Sequence, residues 1–312
     1  MSDLILHHYA GSPFSEKMRL IFGFKGLAWH SVNVPVMLPK PDVLALTGGY
    51  RRTPLLQIGG DIFCDTALMC EELEARYPSP SLFPASSLGS DRMLAQWADG
   101  SLFLAAVPYT LQPAGAAAIF ADAPPEFLPA FVADRAAMTE GNRRPSSADA
   151  GAALQSYLEW LEALLSDGRD FLLGAEPCVA DFAVAQSIWF IRLAPPVTGI
   201  LQPFVRLATW FDRVAGFGHG ERLKLDSQAA IELARSRGPQ AAVSVQSGLG
   251  FVPGEVVQVN ASDYGREPVV GELVGLNHQR ISLRRVDARA GLVHVHFPRI
   301  GYALRKAPGL NP

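Results

Sequence analysis

Several features are scarce in this 312-residue sequence, and each scarcity excludes something. Although 49% of the residues are hydrophobic and mean hydropathy is +0.15, no run approaches the roughly 20 consecutive apolar residues that cross a bilayer, so no membrane segment is expected. Charge of one sign is also missing. Lys and Arg number 27 against 30 Asp and Glu, the net charge is -3 and the pI is near 6.2, which leaves no footprint for nucleic acid or an acidic polymer. Cysteine is limited to Cys64, Cys70 and Cys178, an odd number without C-x-x-C spacing. That excludes a disulfide framework and a dithiol pair, and leaves reduced, packed thiols. The N-terminus has no basic region followed by an apolar stretch, so secretion is not expected and a cytoplasmic protein is. His7 and His8 are adjacent on a strand and face opposite ways. His294 and His296 share a face but have no third ligand at suitable spacing, so no metal is expected. The glycines near Gly248 precede no helix, which rules out a nucleotide loop.

What is present begins with L-I-L-H-H-Y-A-G-S-P-F-S-E-K-M-R at 4–19, a strand that turns directly into a helix. Gly11 permits the turn, Ser12 is a good N-cap and Pro13 suits the first helical position. Met18, Leu20, Ile21 and Phe24 continue at helical spacing. The Ser12 hydroxyl therefore lies where free backbone N–H groups and the helix dipole favour an anion, although a serine in this setting is also a simple cap. A second such place is R-R-T-P-L-L-Q-I-G-G-D-I-F-C-D-T-A-L-M-C-E-E-L at 51–73: strand, Gly59-Gly60 turn, strand, then helix. Pro54 at a strand entry signals an edge, a bulge or a cis bond, and leaves the backbone of Thr53 free for a ligand. Asp65 or Thr66 caps the following helix. Two helix starts and one strand edge can converge on a small anionic molecule.

The chain divides by pattern. Residues 1–85 alternate strand and helix signals, as in a small α/β unit. Residues 90–236 show helical spacing almost throughout, as in an all-α domain, with a polar, mobile loop at 139–150. Residues 248–312 carry short alternating segments at 256–259, 269–274, 281–286, 292–297 and 302–304. These point to a small five-stranded β-barrel or sheet, expected to pack on the helical domain behind a short flexible stretch at 240–250.

S-P-F-S-E-K-M-R at 12–19, T-P-L-L at 53–56, D-T at 65–66 and F-L-L-G-A-E-P-C-V-A-D-F at 171–182, in this order and spacing, resemble the glutathione transferase family over roughly residues 1–235. The resemblance implies a thioredoxin-like N-terminal domain, a helical-bundle domain and a homodimer. It also implies glutathione as co-substrate, activated as a thiolate for attack on a hydrophobic electrophile. Residue by residue, Ser12 matches the hydroxyl that donates to the glutathione sulfur, Thr53 the backbone partner of the cysteinyl part and Pro54 the cis-proline. Asp65 and Thr66 match the pair that holds the γ-glutamyl end, and Arg52 falls where a basic residue meets the glycine carboxylate. Phe14 borders the acceptor pocket. Lys40 is a second candidate for the carboxylate, Tyr9 and Ser15 are rivals to Ser12, and Arg52 reads equally as a solvated charge. Cys178 stands where the family has a Ser or Thr cap partner for Asp181, and the family ordinarily ends before the β module.

The chemistry is within reach of these groups. A free thiol titrates near 8.5, and lowering that by about two units requires roughly 2.7 kcal/mol of preferential anion stabilisation. A hydroxyl donating to an anion supplies about 1.5–3 kcal/mol and a helix N-terminus about 0.3–2 more. The alternative expectation is a non-catalytic scaffold of the same fold, using the β module to bind a protein.

Overall fold

A computed structural model of the chain describes residues 4–142 and 145–307; positions 143 and 144, inside the expected mobile loop, lie outside the described residues. β1 (Ile5–His8) leads through α1 (Pro13–Phe24) to a parallel β2 (Ala28–Asn33). After α2 (Pro41–Thr47), β3 (Leu55–Ile58) runs antiparallel to β1, and β4 (Asp61–Cys64) antiparallel to β3, before α3 (Thr66–Arg76). Alternation along these strands sorts the side chains into two apolar layers. Leu4, Leu6, Leu56 and Phe63 face the helical domain with α1 and α3, whereas Ile5, Leu55 and Ile62 face the side covered by α2. Gly60 at the β3–β4 turn donates its N–H to the Gly238 carbonyl (2.7 Å), and a Cβ there would lie 2.4 Å from the Gly238 carbonyl carbon.

The helical domain holds α4 (Ser90–Trp97), a π-helical turn over Ala98–Leu102, α5 (Phe103–Thr110), α6 (Pro113–Ile119), α7 (Phe127–Met138), α8 (Ser147–Leu164), α9 (Val179–Arg192) and α10 (Val205–Ala215). Its central helix, α9, is capped by Asp181 in its first turn. The fully buried carboxylate accepts the backbone N–H groups of Leu172 and Cys178 (both 2.9 Å) and the Trp210 indole N–H (2.8 Å). Three donors compensate the missing Ser or Thr cap, with the Cys178 thiol 3.4 Å away as a fourth.

Three expectations are corrected. The helical segment does not continue to residue 236. β5 (Glu221–Lys224) returns to pair in parallel with β2, and α11 (Ser227–Arg237) covers the α2 side of the sheet. All four side chains of β5 are exposed, so E-R-L-K shows no alternation, and only the open edge of β2 makes it a strand. The second correction concerns the C-terminal module: β6 (Val256–Ala261), β7 (Val269–Leu276), β8 (Arg280–Asp287), β9 (Gly291–Pro298) and β10 (Tyr302–Lys306) lie at the five expected segments. Their main attachment is to the other open edge of the thioredoxin-like sheet, where β9 pairs in parallel with β4, while the expected packing on the helical domain is confined to the end of α7, where Gly265 N–H donates to the Met138 carbonyl and Asn142 to the Asp263 carbonyl. The result is one sheet of order β10-β6-β7-β8-β9-β4-β3-β1-β2-β5. Nor is the 240–250 stretch loose, since the Gln240 and Ala241 N–H groups bind Asp61 Oδ2 (2.6 and 2.9 Å) and Val245 bridges to Leu276.

Candidate active site

A cavity of about 870 Å³ opens between the thioredoxin-like domain, the helical domain and the β module. Its walls include Phe14 from α1, Arg52, Thr53 and Pro54 from the approach to β3, and Asp65 and Thr66 from the start of α3. Six of the seven site residues expected from sequence are thus brought together.

Asp65 has a positive φ of 75°, a conformation that costs a non-glycine residue on the order of 1–3 kcal/mol and that collects at ligand sites. Its Oδ1 accepts the Ala67 N–H (2.9 Å), making it the cap of α3, while Oδ2 accepts the Tyr302 hydroxyl (3.2 Å). The Thr53–Pro54 peptide is cis. Behind it the Lys40 ammonium donates to the Arg51 carbonyl (3.2 Å) and to Thr53 Oγ1 (3.0 Å). Lys40 is only 3% exposed, and burial, reinforced by Arg135 and Arg51, pushes its pKa down to about 8. It supports the Thr53 segment from below rather than lining the cavity.

Arg52 is not a solvated charge. It pairs with Asp263, donates to the Tyr264 carbonyl and stacks on the Tyr264 ring with the guanidinium carbon 3.9 Å from the centroid. All these partners belong to the β module. The adjoining segment is tied to α7 as well, because Gly265 N–H donates to the Met138 carbonyl (2.7 Å) and Arg51 pairs with Asp134.

Ser12 is the seventh residue. Its Oγ accepts the Ser15 N–H at 3.2 Å, the bond of an N-cap, and the residue is 2% exposed and does not line the cavity. The turn ahead of it is held by Arg19, which donates to the Ala10 carbonyl (3.0 Å) and to His8 Nδ1 (3.1 Å) and pairs with Glu16 (2.6 Å). Tyr9 faces the Lys40 ammonium, 5.8 Å from the ring centroid.

Sequence reasoning missed Lys17 and Asp99, both in the cavity wall. The Lys17 ammonium, on a residue with no exposed surface, pairs with Asp99 Oδ2 (2.5 Å) and donates to Thr66 Oγ1 (3.2 Å). Burial pulls the pKa of this lysine down, but the Asp99 carboxylate outweighs it and holds the pKa above its ordinary value. Asp99 lies in the π-helical turn, and its other oxygen accepts the Gln186 amide (2.6 Å). The available signal was the pairing of a charge with an apolar stripe: Glu16, Lys17 and Arg19 are all buried on a helix that the N-cap had already placed at a ligand site. The residues together offer cationic groups, backbone at a strand edge and two helix starts to an anionic ligand with a polar body.

Residues 6–81 match the glutathione S-transferase N-terminal domain and residues 135–213 the glutathione S-transferase C-terminal domain. A GST-like protein from Pseudomonas syringae, known from its crystal structure, is 41% identical over 98% of this chain and 100% of its own, with a TM-score of 0.81. A glutathione S-transferase from Rhodospirillum rubrum is 21% identical, covering 68% of this chain and 87% of its own (TM-score 0.53). FzlA from C. crescentus is 23% identical over 68% and 88% (TM-score 0.52), so these two share the fold over about two thirds of this chain. No curated protein matches the sequence. Among the described residues no single helix is long and apolar enough to cross a membrane. With both domains matched and a full-length relative at 41% identity, the chain belongs to the glutathione S-transferase family.

Proposed function

We propose that the protein binds glutathione in the 870 Å³ cavity and activates its thiol for attack on a hydrophobic, electrophilic small molecule in the cytoplasm. The observation that carries this reading is the meeting of the Thr53–Pro54 edge, the Asp65–Thr66 helix start and the N-terminal turn of α1 at one cavity. In this reading the Thr53 backbone pairs with the cysteinyl part, Asp65 and Thr66 hold the γ-glutamyl ammonium and carboxylate, and Arg52 meets the glycine carboxylate. Ser12 uses a lone pair for the cap bond and keeps its O–H for the sulfur, so the cap and the thiol donor are compatible roles of one hydroxyl. Phe14 borders the acceptor, and the working form is a homodimer in which the α/β half of one subunit meets the helical half of the other.

One observation favours a second reading, a non-catalytic scaffold. Arg52 and Asp65, the two charged anchors, are already engaged by Asp263 and Tyr302 of the β module. Glutathione must compete with Asp263 for the guanidinium, and Asp263, half exposed, is free to swing away. Calorimetry with glutathione separates the two readings. A complex that Asp65→Ala weakens at least tenfold supports the enzyme; no heat at millimolar glutathione leaves the scaffold.

A further inference from the structure

The parallel pairing of β4 with β9 places Asp61 opposite His294 and Phe63 opposite His296, so Asp61 and both histidines share one face of the sheet. Asp61 Oδ1 lies 2.9 Å from His296 Nε2 and 3.9 Å from His294 Nδ1, and the three residues each offer a ligand atom within 4.8 Å of the other two. The third ligand that the spacing of His294 and His296 lacked is therefore supplied from 235 positions away in sequence.

We propose that Asp61, His294 and His296 form a binding site for a divalent first-row ion of the zinc type, which pins the C-terminal β module to the thioredoxin-like sheet. Two imidazoles and one carboxylate are a ligand set that such ions take, with water in the fourth position. Metal–ligand bonds of about 2.0–2.2 Å in tetrahedral geometry set the ligand atoms about 3.3 Å apart. Opening the 2.9 Å pair by about 0.4 Å and closing the 3.9 Å pair by about 0.6 Å brings both to that separation.

The groups behind the ligands are already in place. Asp61 Oδ2 is fixed by the Gln240 and Ala241 N–H groups, leaving Oδ1 as the ligating oxygen. His296 is stacked on Phe63 (4.6 Å between centroids), and its Nδ1 is 2.8 Å from Ser282 Oγ. A carboxylate oxygen only accepts, so without the ion the His296 proton sits on Nε2 and Ser282 donates to Nδ1. With the ion on Nε2 the ring proton moves to Nδ1 and donates to Ser282 Oγ. The hydroxyl switches from donor to acceptor, and the neutral ring keeps its proton count. Support of a ligating imidazole through its other nitrogen is the usual companion of a metal site. His294 Nδ1, a buried atom without a hydrogen-bond partner, is the atom that a simple hydrogen-bonded seal between the sheets leaves unexplained and that an ion satisfies.

The test uses the full chain, stripped with a chelator and titrated with Co²⁺, then with Zn²⁺ in competition. One equivalent of Co²⁺ should bind, give the visible absorption of a tetrahedral site and be displaced by Zn²⁺. His294→Gln is the deciding variant, because His294 Nδ1 makes no hydrogen bond whose loss would threaten the fold. It should lower the affinity at least tenfold, and Ser282→Ala should lower it about tenfold through the supporting bond. Zn²⁺ should also slow proteolysis between residues 239 and 250 in the wild type but not in His294→Gln. Failure of the folded wild type to bind either ion, or binding that His294→Gln leaves unchanged, overturns the proposal.

Discussion

Lowering the pH should unfold the thioredoxin-like domain through β1, where two adjacent histidines are both held neutral. His7 Nε2 lies 2.7 Å from Gln57 Oε1. The Gln57 amide nitrogen is committed to the carbonyls of Gly59 and Ala230, so Oε1 is the acceptor and the imidazole proton sits on Nε2. The remaining nitrogen, Nδ1, is buried without a partner. A second proton there would be a desolvated cation, and burial accordingly pushes the His7 pKa down to about 4, against a smaller opposing effect of Gln57. His8 meets the same end differently. Burial, followed by the Arg19 guanidinium that donates to its Nδ1, lowers its pKa to about 3.

Both folded pKa values lie below the ordinary 6.5, so the stabilisation is complete above pH 6.5 and is lost as pH falls from there towards the folded values. For His7 the full difference, 6.5 against about 4, corresponds to about 3 kcal/mol, of which about 2 kcal/mol is already lost at pH 5. His7→Gln keeps a donor for Gln57 and cannot titrate. Urea unfolding followed by circular dichroism at pH 8 and pH 5 should show wild type losing about 2 kcal/mol more than His7→Gln between the two pH values. All other titrating groups are common to both proteins and cancel in this comparison. An equal loss in the two proteins would mean that the His7 proton is accommodated in the fold, and the argument from the unpartnered Nδ1 would be wrong.

Ser12→Ala should raise the pKa of bound glutathione by a unit or more, read from thiolate ultraviolet absorbance, and should cost about 1 kcal/mol of stability through the lost cap bond to Ser15. Its affinity for glutathione should change little; if Tyr9→Phe shifts the thiol and Ser12→Ala does not, the donor is Tyr9. Sedimentation at micromolar concentration should show a dimer, and a monomer there would refute the proposed two-fold arrangement.

The parts of the fold that were legible in the sequence share one property: their signal is local. The α1 start at Ser12-Pro13, the Asp65 cap and the five strands of the C-terminal module each announce themselves within a dozen residues. What was illegible depends on pairing across long separations. β5 has no apolar face to betray it, and β9 reads as a strand without revealing that its partner is β4. The same limit hid Asp61 from His294 and His296, Asp99 from Lys17, and Asp263 from Arg52. In each case one charge is visible in a motif and its counterpart lies in another domain.

That limit bears on where specificity resides. The glutathione S-transferase domain matches span residues 6–81 and 135–213, and the family motifs fall within them. The C-terminal module, continuous with the sheet through β4 and β9, supplies Asp263, Tyr264, Arg280 and Tyr302 to the cavity wall. Arg280 reaches further, pairing with Glu72 of α3 (2.7 Å) with its guanidinium carbon 5.4 Å from the Phe63 ring centroid. A ligand entering this cavity thus meets motif residues on one side and module residues on the other. The module side already bonds to Arg52 and Asp65, the proposed anchors. The competition between ligand carboxylates and Asp263, and between a ligand ammonium and the Tyr302 hydroxyl, is set by residues outside every family motif. Selectivity among anionic ligands should therefore respond to substitutions at Asp263 and Tyr302 more than to any change in the helical domain.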